Sequence, residues 1–374
     1  MRLVLISNYI PDGQESMLRY AQMLSRVLAG RVDEVRVVHI PVVLGRLPFL
    51  RKQFGYVDKY VLAPWWLRLQ CRGADVVHVC DHTNAMYLPC AGTKPSLITC
   101  HDLIGPRSAR GELGGGPWKR TFIALQEWIA RSLGRARYVV CVSAATERDV
   151  LRLTPGRDMK TRVVYLPLNR HYAPAAPDRV QAVRAKLGLG PDTPYFFHIG
   201  GNVPYKNRVG VVRIFAELKK YPQFQAAKAV LAGKPWNEEV RALCQSLHLE
   251  DSAIEGGFVT DEELEALYTG AVALLYPSLI EGYGWPPLEA QACGCPVITS
   301  NRGSLPEVAG DAAIIVDPED AAGAAGTIAE QWPDRERLRE AGFRNLERFQ
   351  DSQFAETMLG VYKEVAASRA ARWR

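Results

Sequence analysis

Runs of β-branched and other apolar residues recur along the chain, with amphipathic stretches between them. The first set is RLVLISNY (2–9), VRVVHI (35–40), DVVHVCD (75–81), SLITCHD (96–102), YVVCVS (138–143) and RVVYLP (162–167). Such near-continuous apolar strands belong to parallel sheets covered on both faces, where alternation disappears because neither face meets water. The pattern restarts with YFFHIGG (195–201), AKAVLAG (227–233), AIEGGF (253–258), AVALLYPS (271–278), CPVITS (295–300) and AAIIVDP (312–318). Two successive doubly wound α/β domains are the expected architecture, with a cleft between them.

Between the two sets, NRHYAPAAPDRV (169–180) contains Pro174 and Pro177 among small residues, which disfavour continuation of helix or strand and predict a linker. After the last strand, Asp351 or Ser352 can cap a final helix whose Phe354, Met358, Val361, Tyr362 and Val365 share one stripe. The expected organisation is an N-terminal Rossmann-like domain over 1–172, a C-terminal Rossmann-like domain over 173–350, and a helix over 351–374 that crosses back to the first domain. Its basic end reads as a solvated tail.

Composition changes this picture little. Hydrophobic residues at 48% and charged residues at 23% are those of a folded globular chain. No apolar run reaches the roughly 18 residues of a membrane span, and the N-terminal apolar run ends too soon for a secretory signal, so the cytoplasm is the expected compartment. Without delivery to an oxidising compartment, the eight cysteines are expected to be reduced. His78 to His82 (HVCDH) and Cys293-x-Cys295 lack a second ligand pair at metal-site spacing and read as core or surface residues.

Charge is distributed unevenly. Residues 1–175 hold 25 Lys+Arg against 13 Asp+Glu, leaving 21 against 27 in the rest of a chain whose net charge is +6. The basic half should attract something anionic. Nucleic acid is disfavoured because no recognition motif accompanies the charge.

In open α/β sheets ligands bind beyond the carboxyl ends of strands, so the residues that follow each apolar run are the candidates for chemistry. In EGYGWPPLEAQACGCP, Glu281 follows a strand, Gly282 and Gly284 permit close backbone approach, and Pro286 and Pro287 suit a helix entrance. A short helix over roughly 287–293 would put Glu289 in its first turn, near N–H groups able to hold phosphate oxygens. In HIGGNVPYKNR, Gly200, Gly201 and Asn202 follow another strand, and Lys206 can neutralise a diphosphate. His101-Asp102 ends a strand in TCHDLIGP, and Ser143 reads as the N-cap of the helix that follows it, with Glu147 in an early turn.

The run EGYGWPPLEAQACGCPVITSNRGSLPEVAGDAAIIVDP resembles retaining glycosyltransferase family 4, with its E-x7-E pair, C-G-x-P-V run and PEV segment. The resemblance implies a GT-B fold of two facing Rossmann-like domains and transfer of a sugar from a nucleotide sugar with retention, without metal or other cofactor. It implies that Glu281 bonds the donor sugar's hydroxyls, that Glu289 holds the ribose, and that the backbone of Gly282, Tyr283 and Gly284 lines the sugar and diphosphate. His101 would face the donor sugar near the reacting centre and act, with Lys206 and Glu281, in catalysis. Relatives often carry an Arg near position 201 or 202; Arg208 would substitute for it here. They also carry a Gly-Gly pair where this chain keeps only Gly13, assigned to the donor site on that ground.

The wording most resembles bacterial mannosyltransferases that use GDP-mannose in cell-surface polysaccharide assembly, which implies a glycan or lipid-linked acceptor. The family's account is front-face attack, the leaving phosphate accepting the acceptor's proton. Alternatives are a UDP-glucose or UDP-N-acetylglucosamine transferase, an isomerase or phosphorylase on the same frame, and a sugar-nucleotide binding protein without turnover. GRLPFLRKQFGYVDKYVLAPWWLRLQCRG (45–73) mixes cations with Phe49, Phe54, Tyr56, Trp65 and Trp66, and GPWKR (116–120) adds more. That mixture suits peripheral contact with an anionic membrane, at the inner face of the cytoplasmic membrane; the alternative is ordinary core beneath a solvated cationic rim.

Overall fold

A computed structural model describes residues 1–46, 51–113, 116–154 and 158–370. The chain forms two compact units: Met1–Arg170 with the segment from Gln350 onward, and His171–Phe349.

The first unit is built on six parallel strands: β1 (Arg2–Ser7), β2 (Glu34–His39), β3 (Val76–Val79), β4 (Ser96–Cys100), β5 (Tyr138–Cys141) and β6 (Lys160–Val163). They lie in the order β2-β1-β3-β4-β5-β6. All the residues of β3 and β5 are buried, as the unbroken apolar runs require. The expected strand at 162–167 is displaced: Tyr138 pairs with Lys160, and β6 ends at Val163. Val164 adds one more bond to β5, its N–H donating to Cys141 O at 2.9 Å, and Val164 and Leu166 are both buried, so beyond Val163 the apolar run continues as core.

The C-terminal helix, Asp351–Ala370, belongs to this first unit and buries Phe354, Met358, Val361, Tyr362 and Val365. A buried polar chain fastens it. His78 on β3 bonds the Tyr362 hydroxyl through Nδ1 and the Thr99 hydroxyl through Nε2, both at 2.8 Å, and Tyr20 reaches Thr99 at 2.9 Å. Burial, reinforced by the charge of His101, pushes the His78 imidazole down to about 3, so the network operates with a neutral ring. One histidine of the HVCDH run is thereby accounted for as structure.

A helical segment runs through Arg51–Val57, Asp58–Leu62 and Ala63–Gln70. Its anchor is Asp58, fully buried, whose carboxylate accepts from Tyr9 Oη at 2.8 Å and from the N–H groups of Val43, Leu44 and Gly45 at 3.0, 2.9 and 2.9 Å. Burial works to raise its carboxyl, but these donors outweigh it and hold the group below the usual range. Its contribution is therefore present at neutral pH and lost as pH falls through the folded value. Asp58→Ala would orphan four donors and is expected to destabilise by about 3 kcal/mol. A loss below about 1 kcal/mol in urea melts would contradict that role.

The same segment turns apolar side chains outward. Trp65 is 73% exposed, and Tyr56, Val61, Trp66 and Leu69 are also exposed, as is Trp118. Of the aromatics expected to form either a surface or a core, Phe54 is half-buried and Phe49 lies outside the described residues. Among the described residues, no helix is long and apolar enough to cross a membrane.

The second unit contains β7 (Tyr195–Gly200), β8 (Lys228–Gly233), β9 (Ala253–Gly257), β10 (Ala273–Tyr276), β11 (Val297–Ser300) and β12 (Ala313–Val316), all parallel. Its order is β12-β11-β10-β7-β8-β9. Phe196, Phe215, Phe224 and Trp332 pack edge-to-face or tilted over one side, with centroids 4.9–6.3 Å apart. The stretch expected to be linker through 180 contains the first turn of a helix, Pro177–Lys186. A proline at the first helical position lacks only an N–H that would have had no partner, so Pro177 opens this helix instead of breaking it.

Topology locates the ligand edges. In the second unit, the chain passes from β7 outward to β8 and β9, then returns to place β10 against the other side of β7. In the first unit, the equivalent reversal lies between β1 and β3. Loops leaving the carboxyl ends of such strand pairs diverge to opposite faces and leave a crevice between them.

Candidate functional site

In the second unit, the crevice lies between the loops after β7 and β10. The first carries Gly200 to Lys206; the second carries Glu281. Lys206 Nζ donates to Glu281 Oε1 at 2.8 Å and to Tyr276 Oη at 2.7 Å, while Tyr276 Oη donates to Glu281 Oε1 at 2.8 Å. Glu281 is 9% exposed, and the Lys206 side chain retains 22%. Burial would lower the ammonium's affinity for its proton, but the Glu281 carboxylate reverses this and holds Lys206 well above the usual lysine range. The result is a fixed cation, open on one side, at the edge of the sheet.

The turn after Glu281 is held from behind. Ser304 Oγ donates to Glu281 O at 3.1 Å and Tyr283 O at 2.6 Å. Gly284 sits at φ 99°, ψ 64°, the left-handed region that favours glycine, and serves as N-cap of the helix Trp285–Ala292. Pro286 and Pro287 fall in its first turn, where N–H groups have no intrahelical acceptor. A Cβ at Gly303 would come within 2.8 Å of Glu281 O, so the neighbouring loop must also be glycine to pass so close.

Two expectations need correction. The helix starts at Trp285 rather than near 287, so Glu289 lies beyond the first turn, and no acidic residue occupies that turn. Glu289 is 6% exposed and accepts from Tyr268 Oη at 2.9 Å. Arg208, expected to supply a cation, is also committed elsewhere. Its Nη1 bonds Asn202 Oδ1 and Lys234 O, both at 2.7 Å, and its Nη2 bonds Gly200 O at 2.7 Å and Ala232 O at 2.8 Å. All four Nη protons are used on acceptors around the ends of β7 and β8, so the guanidinium braces the loop instead of facing outward. Asn202 is drawn into the same brace, donating through Nδ2 to Pro235 O at 2.7 Å. Gly201 is different: an added Cβ would meet nothing closer than Lys234 Cδ at 3.9 Å.

Residues that pattern reasoning missed complete the site. Tyr276 and Tyr268 position the two carboxylates. Asn207, at φ 53°, caps the helix Arg208–Leu218 through Gly210 N and donates to Pro277 O at 2.9 Å and Pro318 O at 3.1 Å, tying three edge loops together. Phe258, just beyond β9, is 72% exposed. A phenol inside an apolar strand and an Asn before a helix were the available signals.

In the first unit, His101 follows β4 and is buried, with Nε2 at 2.9 Å from Cys80 O. A carbonyl can only accept, so the proton is on Nε2 and Nδ1 keeps its lone pair. The ring packs edge-on to Tyr20 at 4.6 Å. Burial lowers its proton affinity and outweighs the nearby Asp81 charge, leaving the imidazole neutral at pH 7. Asp81, after β3, accepts from Asn8 Nδ2 at 2.5 Å, Thr83 N at 3.0 Å and Thr83 Oγ1 at 2.6 Å. His82 Nδ1 lies 3.1 Å from Asp81 Oδ1 as a charge contact, outside good hydrogen-bond alignment. Burial works to raise the Asp81 carboxyl, but His82 and the surrounding donors hold it well below its usual range. Gly13 caps the turn Ile10–Asp12 in a left-handed conformation, and the neighbouring Gln14 bonds Asn8. Ser143 Oγ accepts from Thr146 N at 3.0 Å as the cap of Ala144–Leu153, with Glu147 in its first turn.

Comparisons with known proteins bear on the family and the fold. Residues 18–171 match the Glycosyltransferase Family 4 model and residues 180–345 match Glycosyl transferases group 1. O-antigen chain mannosyltransferase B of Escherichia coli is 29% identical over 247 residues, 64% of each chain. Alpha-maltose-1-phosphate synthase of Mycobacterium tuberculosis is 27% identical over 76% of this chain and 79% of its own. Among solved structures, sucrose-phosphate synthase from Thermosynechococcus elongatus superposes with TM-score 0.76 at 20% identity, covering 98% of this chain and 100% of that one. Anabaena HepE in complex with UDP and glucose gives TM-score 0.72 at 15% identity, covering 97% of this chain and 99% of its own. The chain is an enzyme of the GT-B glycosyltransferases, formed from a family 4 domain followed by a group 1 domain.

Proposed function

We propose that the chain is a retaining mannosyltransferase that passes mannose from GDP-mannose to a glycan or lipid-linked acceptor in polysaccharide assembly. The observation that carries the reading is the Lys206 ammonium, held between Tyr276 and Glu281 at the crevice of the second unit. Mannose as the sugar rests on the mannosyltransferases among the relatives.

In this reading the diphosphate lies against Lys206 and the backbone of Gly200 and Gly201. Gly201 leaves open space beside the loop backbone, which the diphosphate takes in this reading. Glu281 Oε2, which has no protein partner among the described residues, accepts from a sugar hydroxyl, and Glu289 takes the ribose. The backbone of Gly282, Tyr283 and Gly284 lies along the sugar. Phe258 offers an exposed ring on which a nucleobase stacks. His101 presents a neutral Nδ1 to a sugar hydroxyl.

The acceptor oxygen bonds the anomeric carbon on the face the diphosphate leaves. The C–O bond to phosphate breaks with its electron pair staying on the phosphate oxygen, and that oxygen takes the acceptor's proton. Products are a nucleoside diphosphate and a glycoside of unchanged anomeric configuration. Lys206 stabilises the charge growing on the leaving group, so the reading assigns no step to a metal, and chelation with EDTA should leave transfer unchanged. Thermal melts with GDP and with UDP test the base: GDP is expected to raise Tm more at equal concentration, and stabilisation by UDP alone would overturn GDP-mannose as donor.

The exposed Trp65, Trp66 and Tyr56, carried on the basic half of the chain, support peripheral contact with the anionic inner face of the cytoplasmic membrane. The protein is expected to sediment with phosphatidylglycerol vesicles at low salt and to be released at high salt. Absence of sedimentation at low salt removes the membrane contact.

A further inference from the structure

A cavity of about 480 Å³ opens in the first unit at the opposite edge of the sheet from His101. Ser96 and Tyr138, the first residues of β4 and β5, both line it. Five residue steps along the strand separate Ser96 from His101, roughly 16 Å at the usual rise, so the cavity is no part of the carboxyl-edge site.

Its lining is of two kinds. Lys94, Arg135 and Arg137 supply three cations, and Met86, Leu88 and Trp128 supply apolar surface. Among the described residues, no carboxylate lines the cavity, and neither Arg135 nor Arg137 has an ion-pair partner. Lys94 spends one donor on Ala74 O at 3.1 Å. Three cations without a counter-charge beside an apolar wall fit an anion joined to a hydrocarbon body.

The surroundings say where such a molecule comes from. Trp128 packs on Tyr60 at 5.4 Å, and Tyr60 stacks on Tyr56 at 5.9 Å. Tyr56 belongs to the segment that turns Val61, Trp65, Trp66 and Leu69 into solvent. The cavity wall is therefore continuous, ring to ring, with the exposed aromatic surface of that segment. We propose that this cavity holds one anionic phospholipid, its phosphate on Arg135, Arg137 and Lys94 and its chain along Met86, Leu88 and Trp128. The site adds a stoichiometric lipid pocket to the membrane contact inferred above, and each can fail without the other.

The test titrates the full chain, by calorimetry, with dihexanoyl phosphatidylglycerol below its micelle threshold. Dihexanoyl phosphatidylcholine and inorganic phosphate are the comparison arms. Saturable binding of one phosphatidylglycerol is expected, with the other two at least tenfold weaker. Arg135→Ala/Arg137→Ala should weaken binding at least tenfold, whereas Trp65→Ser/Trp66→Ser should keep the short-chain lipid and lose vesicles. Arg135→Glu alone serves if the double variant does not fold. The proposal is overturned if the arginine variants bind as the parent does, if phosphate binds as tightly as the lipid, if the two lipids are not distinguished, or if no lipid binds.

Discussion

Lys206→Ala is expected to lower kcat/KM for the nucleotide sugar by about a hundredfold or more, equivalent to roughly 2.7 kcal/mol of transition-state stabilisation. The size follows from what is removed. The ammonium is held by Tyr276 and Glu281 before any ligand arrives, so no reorganisation is needed when charge develops on the leaving diphosphate. Its folded-state proton affinity is raised, so its stabilising contribution is complete at neutral pH and is lost only as pH rises through the elevated value. Rate changes between pH 6 and 9 should therefore come from other groups. Lys206→Arg should not restore full activity, because the planar guanidinium cannot sit as a point charge between a phenol and a carboxylate. Removing the lysine also leaves Glu281 without its ion pair, so thermal melts must accompany the kinetics. Near-normal turnover in a folded Lys206→Ala protein would remove Lys206 from the site.

Glu289→Ala should cut transfer by more than tenfold, with most of the loss in the KM for the donor. A ribose contact is made equally in ground and transition states, so its removal weakens binding without slowing the bound complex in proportion. Tyr268→Phe, which deletes the hydroxyl that positions the carboxylate, is expected to cost less, a few-fold in the same parameter. A fall in kcat at unchanged KM would instead place Glu289 at the reacting centre.

The twelve strands were legible because a parallel sheet buried on both faces leaves almost uninterrupted apolar runs, and only β6, at an edge, slid along its run. The placement of Lys206 and Glu281 in loops after strands was legible, and the family pattern drew attention to Glu289 on the helix that follows. What held them was not. Tyr276 ends an apolar strand and Tyr268 lies on the buried side of an otherwise acidic helix, places where a phenol reads as core, and their hydroxyls reach the carboxylates only once the strand and helix are placed. Arg208 had the opposite fault: a cation beside a Gly-Gly loop reads as a phosphate ligand, but its acceptors are backbone carbonyls that no sequence pattern marks. Glu289 lies two residues deeper in its helix than the paired prolines suggest, because the left-handed Gly284 caps the helix and both prolines fall inside its first turn. Pro177 is a related case, a proline at a helix start where its neighbours suggested only linker.

The most direct test incubates the protein with a panel of nucleotide sugars, measuring nucleoside diphosphate release with and without a mannose-terminated lipid-linked acceptor, and the anomeric configuration of any product. The account predicts acceptor-dependent GDP release from GDP-mannose, a product with the donor's anomeric configuration, and loss of both in Lys206→Ala. Release of no nucleoside diphosphate from any donor, or a product of inverted configuration, would contradict it.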